Sequence, residues 1–224
     1  GQSWPQFNVK PRMADRWYGM AVEYGEPQAP TPEPEPEPEP EPAPTEIWSR
    51  DITDTLPRRT DMPEFPGGWA QRTLAQITHM TFHHTYGAST MVAMRNMAEW
   101  YVNSKEGGRP SQPYTLWITP EGEILLANRL TDACYHDHTG YPNYHLSVGV
   151  MGMLSETPPT SAQLDAMVRV AQWAVAHPEM SITPERVTGH MDWITTACPG
   201  WLTPATGNWK AEFLRRWQSG GSGG

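Results

Sequence analysis

Ile77-Thr78-His79-Met80-Thr81-Phe82-His83-His84 is the stretch from which the fold can be read. Its apolar and β-branched residues predict a strand from Ile77 to His83, ending in a histidine pair. Neighbouring side chains on a strand point to opposite faces, so only one of His83 and His84 can join a given cluster. Downstream, past the turn-like Tyr86-Gly87-Ala88, Met91, Met94, Ala98 and Tyr101 recur at helical spacing. Ser89 is the expected cap of that helix and Gly107-Gly108 its break. Tyr114 to Thr119 and Glu123 to Ala127 flank Pro120-Glu121-Gly122, a strand–turn–strand signal, and Ser147 to Met153 predicts another buried strand.

Thr160 and Gln163 fit a reciprocal cap before a helix whose Leu164, Met167, Val168, Ala171 and Val175 form one apolar stripe. Pro178 stops it. A last helix, about Asn208 to Trp217, can bury Trp209, Phe213 and Trp217. Strands interspersed with helices predict a mixed α/β domain with a central sheet.

Upstream the pattern changes. Between Pro27 and Pro44, Glu and Pro alternate from Pro32 to Pro42. Proline holds φ near −65° and offers no amide donor, while the like charges repel, so residues 27–46 are expected to be a disordered, extended spacer. At about 3.1 Å per residue the strict repeat would reach about 30 Å. It separates a short aromatic arm, residues 1–26 with Trp4, Phe7, Trp17, Tyr18 and Tyr24, from a domain expected over 47–218 with its core at about 68–217. An arm of roughly 26 residues is too short to bury a core of its own. Ser219 to Gly224 reads as an appended linker.

The formal net charge is −9, but five of the acidic residues sit in the Glu-Pro repeat, so a nucleic-acid partner is not suggested. No apolar run approaches the roughly 18–20 residues of a membrane helix. No signal peptide is visible, and a start at Gly1 rather than Met is compatible with a leader already removed.

Two cysteines, Cys134 and Cys198, do not make a disulfide framework; they can form one bridge, stay as buried thiols, or serve a metal. Catalytic zinc sites take three protein ligands and leave a fourth position for water. Imidazole nitrogen and thiolate sulfur both suit that ion. The candidates are His83 or His84, His190 in Gly189-His190-Met191-Asp192, and Cys198 in Cys198-Pro199-Gly200. His190 and Cys198 are eight residues apart, a loop length that can bring both side chains to one point, with Pro199-Gly200 as a turn. Spacing alone does not establish the site, because histidine pairs and single cysteines are more often structural.

Five motifs occur in one order: Thr81-Phe82-His83-His84-Thr85; Pro113-Tyr114-Thr115-Leu116-Trp117-Ile118 followed by Gly122; His138-Thr139-Gly140-Tyr141-Pro142-Asn143; Ser147-Val148-Gly149-Val150; and Gly189-His190-Met191-Asp192 through Cys198-Pro199-Gly200. Together, over roughly Leu74 to Trp201, they resemble the type 2 N-acetylmuramoyl-L-alanine amidases, which include phage endolysins and the peptidoglycan recognition proteins. The resemblance implies a central mixed β-sheet flanked by helices, with a Zn2+ site in a surface groove. Carried over by position, His83, His190 and Cys198 match the family's zinc ligands, and Tyr114 and Thr196 its catalytic residues. His138 and Asn143 match a pair lining the peptide groove, with His84 beside them. His136 competes with His138 for that role, and His145 is expected at the surface.

Two departures stand out. Met191 replaces the usual arginine, and one extra residue lies between Asn143 and Ser147.

The implied activity is hydrolysis of the amide joining N-acetylmuramic acid to L-alanine in peptidoglycan. The expected partner is therefore the cell wall, reached outside the cell, in the periplasm, or by phage release, and a monomer is expected. Tyr114, with an ordinary pKa near 10, is expected to donate a hydrogen bond rather than act as a base. Two rivals remain: a recognition module that binds peptidoglycan without cutting it, and the same fold with structural histidines and a Cys134–Cys198 disulfide. Non-catalytic relatives generally lack the cysteine, which is present here.

Overall fold

The computed structural model describes residues 46–104, 108–136 and 144–220. The arm at 1–26, the linker up to residue 45, and His138 and Asn143 lie outside the described residues. Among those described, the strands are β1 (Arg50–Asp51), β2 (Asp61–Met62), β3 (Phe65–Pro66), β4 (His79–His84), β5 (Leu116–Ile118), β6 (Ile124–Leu126), β7 (His145–Val150), β8 (Val187–Gly189), β9 (Leu202–Thr203) and β10 (Gly207–Asn208). The helices are α1 (Met91–Asn103), α2 (Ser161–Ala176) and α3 (Trp209–Gln218). Six strands form one sheet in the order β1-β6-β5-β7-β4-β8, while β2–β3 and β9–β10 are small separate pairs. Within the large sheet the β5–β6 pairing is antiparallel and the other four are parallel, so it is mixed.

The period-2 alternation of strand side chains divides the core into two layers. Leu116 and Ile118 of β5, and Ile124 and Leu126 of β6, face one cluster with Phe82, Leu164, Met167, Ala171 and Phe213. Trp117 and Leu125, between them in sequence, face the other with Met94, Ala98, Tyr114, Ile52 and Leu56. Helices α2 and α3 therefore cover one face of the sheet and α1 the opposite face. Central strands buried on both faces do not alternate in polarity, and β7 is buried at every position.

Helix α2 begins where the cap was expected. Thr160 Oγ1 accepts from the Gln163 amide at 3.1 Å, and Gln163 Oε1 accepts from the Thr160 amide at 3.1 Å. Gln163 Nε2 also donates to the Met151 carbonyl at 2.8 Å, tying the helix start to the end of β7, the sheet neighbour of β4. The chain leaves helix at His177, as the residue before a proline should. Helix α3 starts on Asn208, whose side chain accepts from the Ala211 amide at 3.2 Å. Helix α1 is capped by Thr90 rather than Ser89: Thr90 Oγ1 is the atom in reach of the Ala93 amide, at 3.2 Å.

One further expectation is corrected, and one rival reading falls. His145 is not a surface residue: it opens β7 at 2 % exposure, its Nδ1 2.9 Å from Thr81 Oγ1 and its ring stacked on His79. The parallel register that sets His145 opposite His79 explains this burial. Cys134 and Cys198 are both free thiols, not a disulfide.

Candidate metal centre and active site

Strand β4 delivers the histidine pair to the C-terminal edge of the parallel strands. His83 alternates with Phe82 and so emerges on the α1 side, beside Tyr114, with ring centroids 5.3 Å apart. His190 follows directly on β8, the edge neighbour of β4, in a short 3-10 turn. Asp192 closes that turn by accepting from the Gly189 amide at 2.7 Å. Met191, in place of the arginine, packs its side chain on the main core while its amide donates to the Cys198 carbonyl at 2.7 Å. That one backbone bond folds the His190–Cys198 loop back on itself.

The result is a cluster of His83, His190 and Cys198 whose candidate ligand atoms all lie within 4.8 Å of one another. His83 Nδ1 is 3.7 Å from Cys198 Sγ, and the His83 and His190 rings are 4.5 Å apart. Two ligands on a tetrahedral zinc, at about 2.1 Å for nitrogen and 2.3 Å for sulfur, would be about 3.6 Å apart. The donor set and its spacing therefore fit zinc with a fourth position open. Burial pushes Cys198 up to about 12, while the His84 backbone N–H, donating to Sγ at 3.3 Å, works in the opposite direction.

A cavity of roughly 620 Å³ opens over the cluster, lined also by His84, Tyr114, Thr196, His136, Arg109 and Tyr135. That volume lies in the range of ordinary ligand pockets. His84 alternates away from the metal cluster but still reaches the cavity because β4 ends there. Burial, then the neighbouring His190, lowers its pKa to about 4, so it is neutral at pH 7. Its Nδ1 is buried with no hydrogen-bond partner among the described residues, an orphaned polar atom at the cavity wall.

Tyr114 is fixed at its backbone. Gln112 Oε1 accepts from the Tyr114 amide at 2.8 Å, and Gln112 Nε2 and Asn128 Nδ2 both donate to its carbonyl, at 2.6 and 2.9 Å. Its ring lies against β7 at Gly149, where an added Cβ would come within 2.7 Å of the tyrosine Cδ2. Burial, then nearby Tyr101 and Cys198, raises the phenol well above its ordinary pKa. Tyr114 is therefore a protonated donor at any working pH, and its hydroxyl donates to the His84 carbonyl at 3.5 Å. Thr196 Oγ1 accepts from the Cys198 amide at 3.2 Å, which leaves its own proton to donate toward the cavity.

His136, weighed only as a groove residue, has its Nδ1 2.9 Å from His83 Nε2. Arg109 and Tyr135 were not anticipated. The Arg109 guanidinium lies 4.9 Å over the Tyr135 ring, and no spacing motif marks either residue. The one available signal was position, since Arg109 follows the glycine pair after α1.

The fold is shared with solved structures. The Ph2119 endolysin of a Thermus scotoductus bacteriophage superposes with a TM-score of 0.54 at 14% identity, covering 75% of this chain and 97% of its own. The Drosophila peptidoglycan recognition protein SD gives 0.53 at 16% identity, with 69% and 90% covered. Human PGRP-IBETAC, solved in complex with a glycosamyl muramyl pentapeptide, gives 0.50 at 19% identity, with 62% and 90% covered. No curated protein matches the chain in sequence. The N-acetylmuramoyl-L-alanine amidase family model matches residues 73–201, more than half of the chain and all of the segment that carries the cluster. The chain belongs to the N-acetylmuramoyl-L-alanine amidase family.

Proposed function

We propose that this protein is a zinc-dependent hydrolase of the amide between N-acetylmuramic acid and L-alanine in peptidoglycan. The observation that carries this reading is the convergence of His83, His190 and Cys198 within 4.8 Å, at a cavity also lined by Tyr114 and Thr196. Family membership and the muramyl-peptide complex of the human neighbour support the cell wall as the substrate.

His83, His190 and Cys198 would hold the ion and leave one position open to the cavity. Zinc, when bound, lowers the pKa of a water from about 15.7 to about 7 and polarises the carbonyl under attack. Water oxygen bonds to the lactyl carbonyl carbon, the carbon–nitrogen bond breaks, one of the water's protons ends on the nitrogen, and the products are the lactyl carboxyl group and a stem peptide with a free L-alanine amine. Thr196 donates its hydroxyl proton to the carbonyl oxygen as negative charge develops there. Tyr114, protonated and anchored by Gln112 and Asn128, donates to the oxygen on the other side of the reacting carbon. Both donors stand ready in a part-buried site, the arrangement that favours a developing charge. His138 and Asn143 are proposed to line the peptide groove with His84.

Purified protein given zinc and cell walls should release glycan while exposing new amino-terminal L-alanine. Cys198→Ser should lose both bound zinc and lysis. Retained lysis by a zinc-free Cys198→Ser protein would reject the mechanism, and wall binding without new L-alanine would favour a recognition module.

A further inference from the structure

On the hydrolase reading above, His83 offers one ring nitrogen to zinc, and its other nitrogen then has a defined task. Nδ1 faces Cys198 Sγ at 3.7 Å, and Nε2 lies 2.9 Å from Nδ1 of His136. A neutral imidazole that presents the Nδ1 lone pair must carry its proton on Nε2. That proton points at His136, so His136 Nδ1 is the acceptor and its own proton sits on Nε2. The pair is shielded from water, with His83 at 2 % and His136 at 7 % exposure. The two rings stand nearly perpendicular, at 86°. Behind His136 lies the His145 ring, 5.7 Å away, itself held by Thr81 Oγ1 at 2.9 Å.

We propose that His136 is a positioning residue for the metal centre. It accepts the Nε2 proton of His83 and so sets both the tautomer and the rotation of that ring, with Nδ1 aimed at the His190–Cys198 pair. Ligating histidines usually donate their second N–H to a carboxylate, a backbone carbonyl or water. A neutral imidazole serves here instead. It orients the ligand without adding negative charge to a site that already takes one from the Cys198 thiolate. The role explains why β7 opens with a buried histidine: His145 backs His136, and His136 aims His83.

Two substitutions separate orientation from packing. His136→Phe keeps a ring and removes the acceptor, whereas His136→Asn places an amide oxygen near the Nδ1 position and loses the ring. Zinc affinity, measured by competition with a chromophoric chelator, should fall about ten- to a hundredfold in His136→Phe. It should stay near wild type in His136→Asn. The reverse order, equal loss in both, or no loss in either would overturn the assignment. Long-range 15N–1H spectra of the metal-free protein give a second, metal-independent readout. His83 should carry its proton on Nε2 in wild type and lose that preference in His136→Phe; a proton on Nδ1 in wild type overturns the proposal. A wild type that binds no zinc would reject the hydrolase reading and leave this bond to be judged by the metal-free spectrum.

Discussion

Tyr114, Cys198 and His84 meet at one cavity wall, and burial shifts each toward its neutral form. For Tyr114 this removes the phenolate from the chemistry. Tyr114→Phe should keep zinc and lower kcat about a hundredfold, the scale of losing one donor to a developing oxyanion. Unchanged turnover would take the residue out of the mechanism. For Cys198 the upward shift, to about 12, means that the thiol is protonated at neutral pH in the metal-free protein. Zinc must displace that proton, so its affinity should rise with pH, about tenfold per unit if one proton leaves. Calorimetry in buffers of different ionisation enthalpy would count the protons.

His84 runs the other way on the pH axis. Its folded pKa of about 4 lies below the ordinary 6.5, so the unfolded chain binds the proton more readily. The metal-free protein should lose stability as pH falls from 6.5 toward 4, with no contribution from this group above that window. His84→Asn should flatten that part of the melting-temperature profile.

At the level of elements, the site is built where β4 and β8 end and where the chain enters β5, and the helices keep those segments in place. Gly149 in β7 is the clearest coupling, because only a residue without Cβ lets the Tyr114 ring lie against the strand. Gly149→Ala should fold, lose about 1–3 kcal/mol by overpacking, and lose activity while keeping zinc. Denaturant midpoints and zinc content would check the two halves of that expectation. The reciprocal cap of α2 offers a control away from the chemistry. Thr160→Ala should cost about 1 kcal/mol and leave turnover at 25 °C unchanged. Helix α2 was legible in the sequence because its cap, stripe and stop are local signals that agree. β1 was not legible: Arg50 and Asp51 are exposed, and they are strand only because β6 supplies the parallel partner.

For the molecule as a whole, the proposed ligands tie together parts of the chain far apart in sequence, His83 and Cys198 being separated by 115 positions. A ligand that binds only the folded state at a hundred times its Kd adds about 2.7 kcal/mol. In a protein of this size that corresponds to about 5–11 °C in Tm. Removing zinc with a chelator should lower the melting temperature by that order, and Cys198→Ser should abolish the difference. More than half of the chain's net negative charge of −9 is matched by the five glutamates of the Glu-Pro repeat, and no described helix is long and apolar enough to cross a membrane.

By itself the sequence determined the strand–helix order, the cap and stop of α2, and the short motifs that hold His83, Tyr114, His190 and Cys198. Those features rest on local backbone preferences and on spacing, which a linear chain displays directly. Tertiary structure alone decided that the two imidazoles and the thiol share one point, that Gln112 and Asn128 pin the tyrosine, and that His136 and His145 are buried behind the cluster. Such contacts join residues through parallel strand pairing and opposite sheet faces. No periodicity in the chain encodes which buried nitrogen meets which.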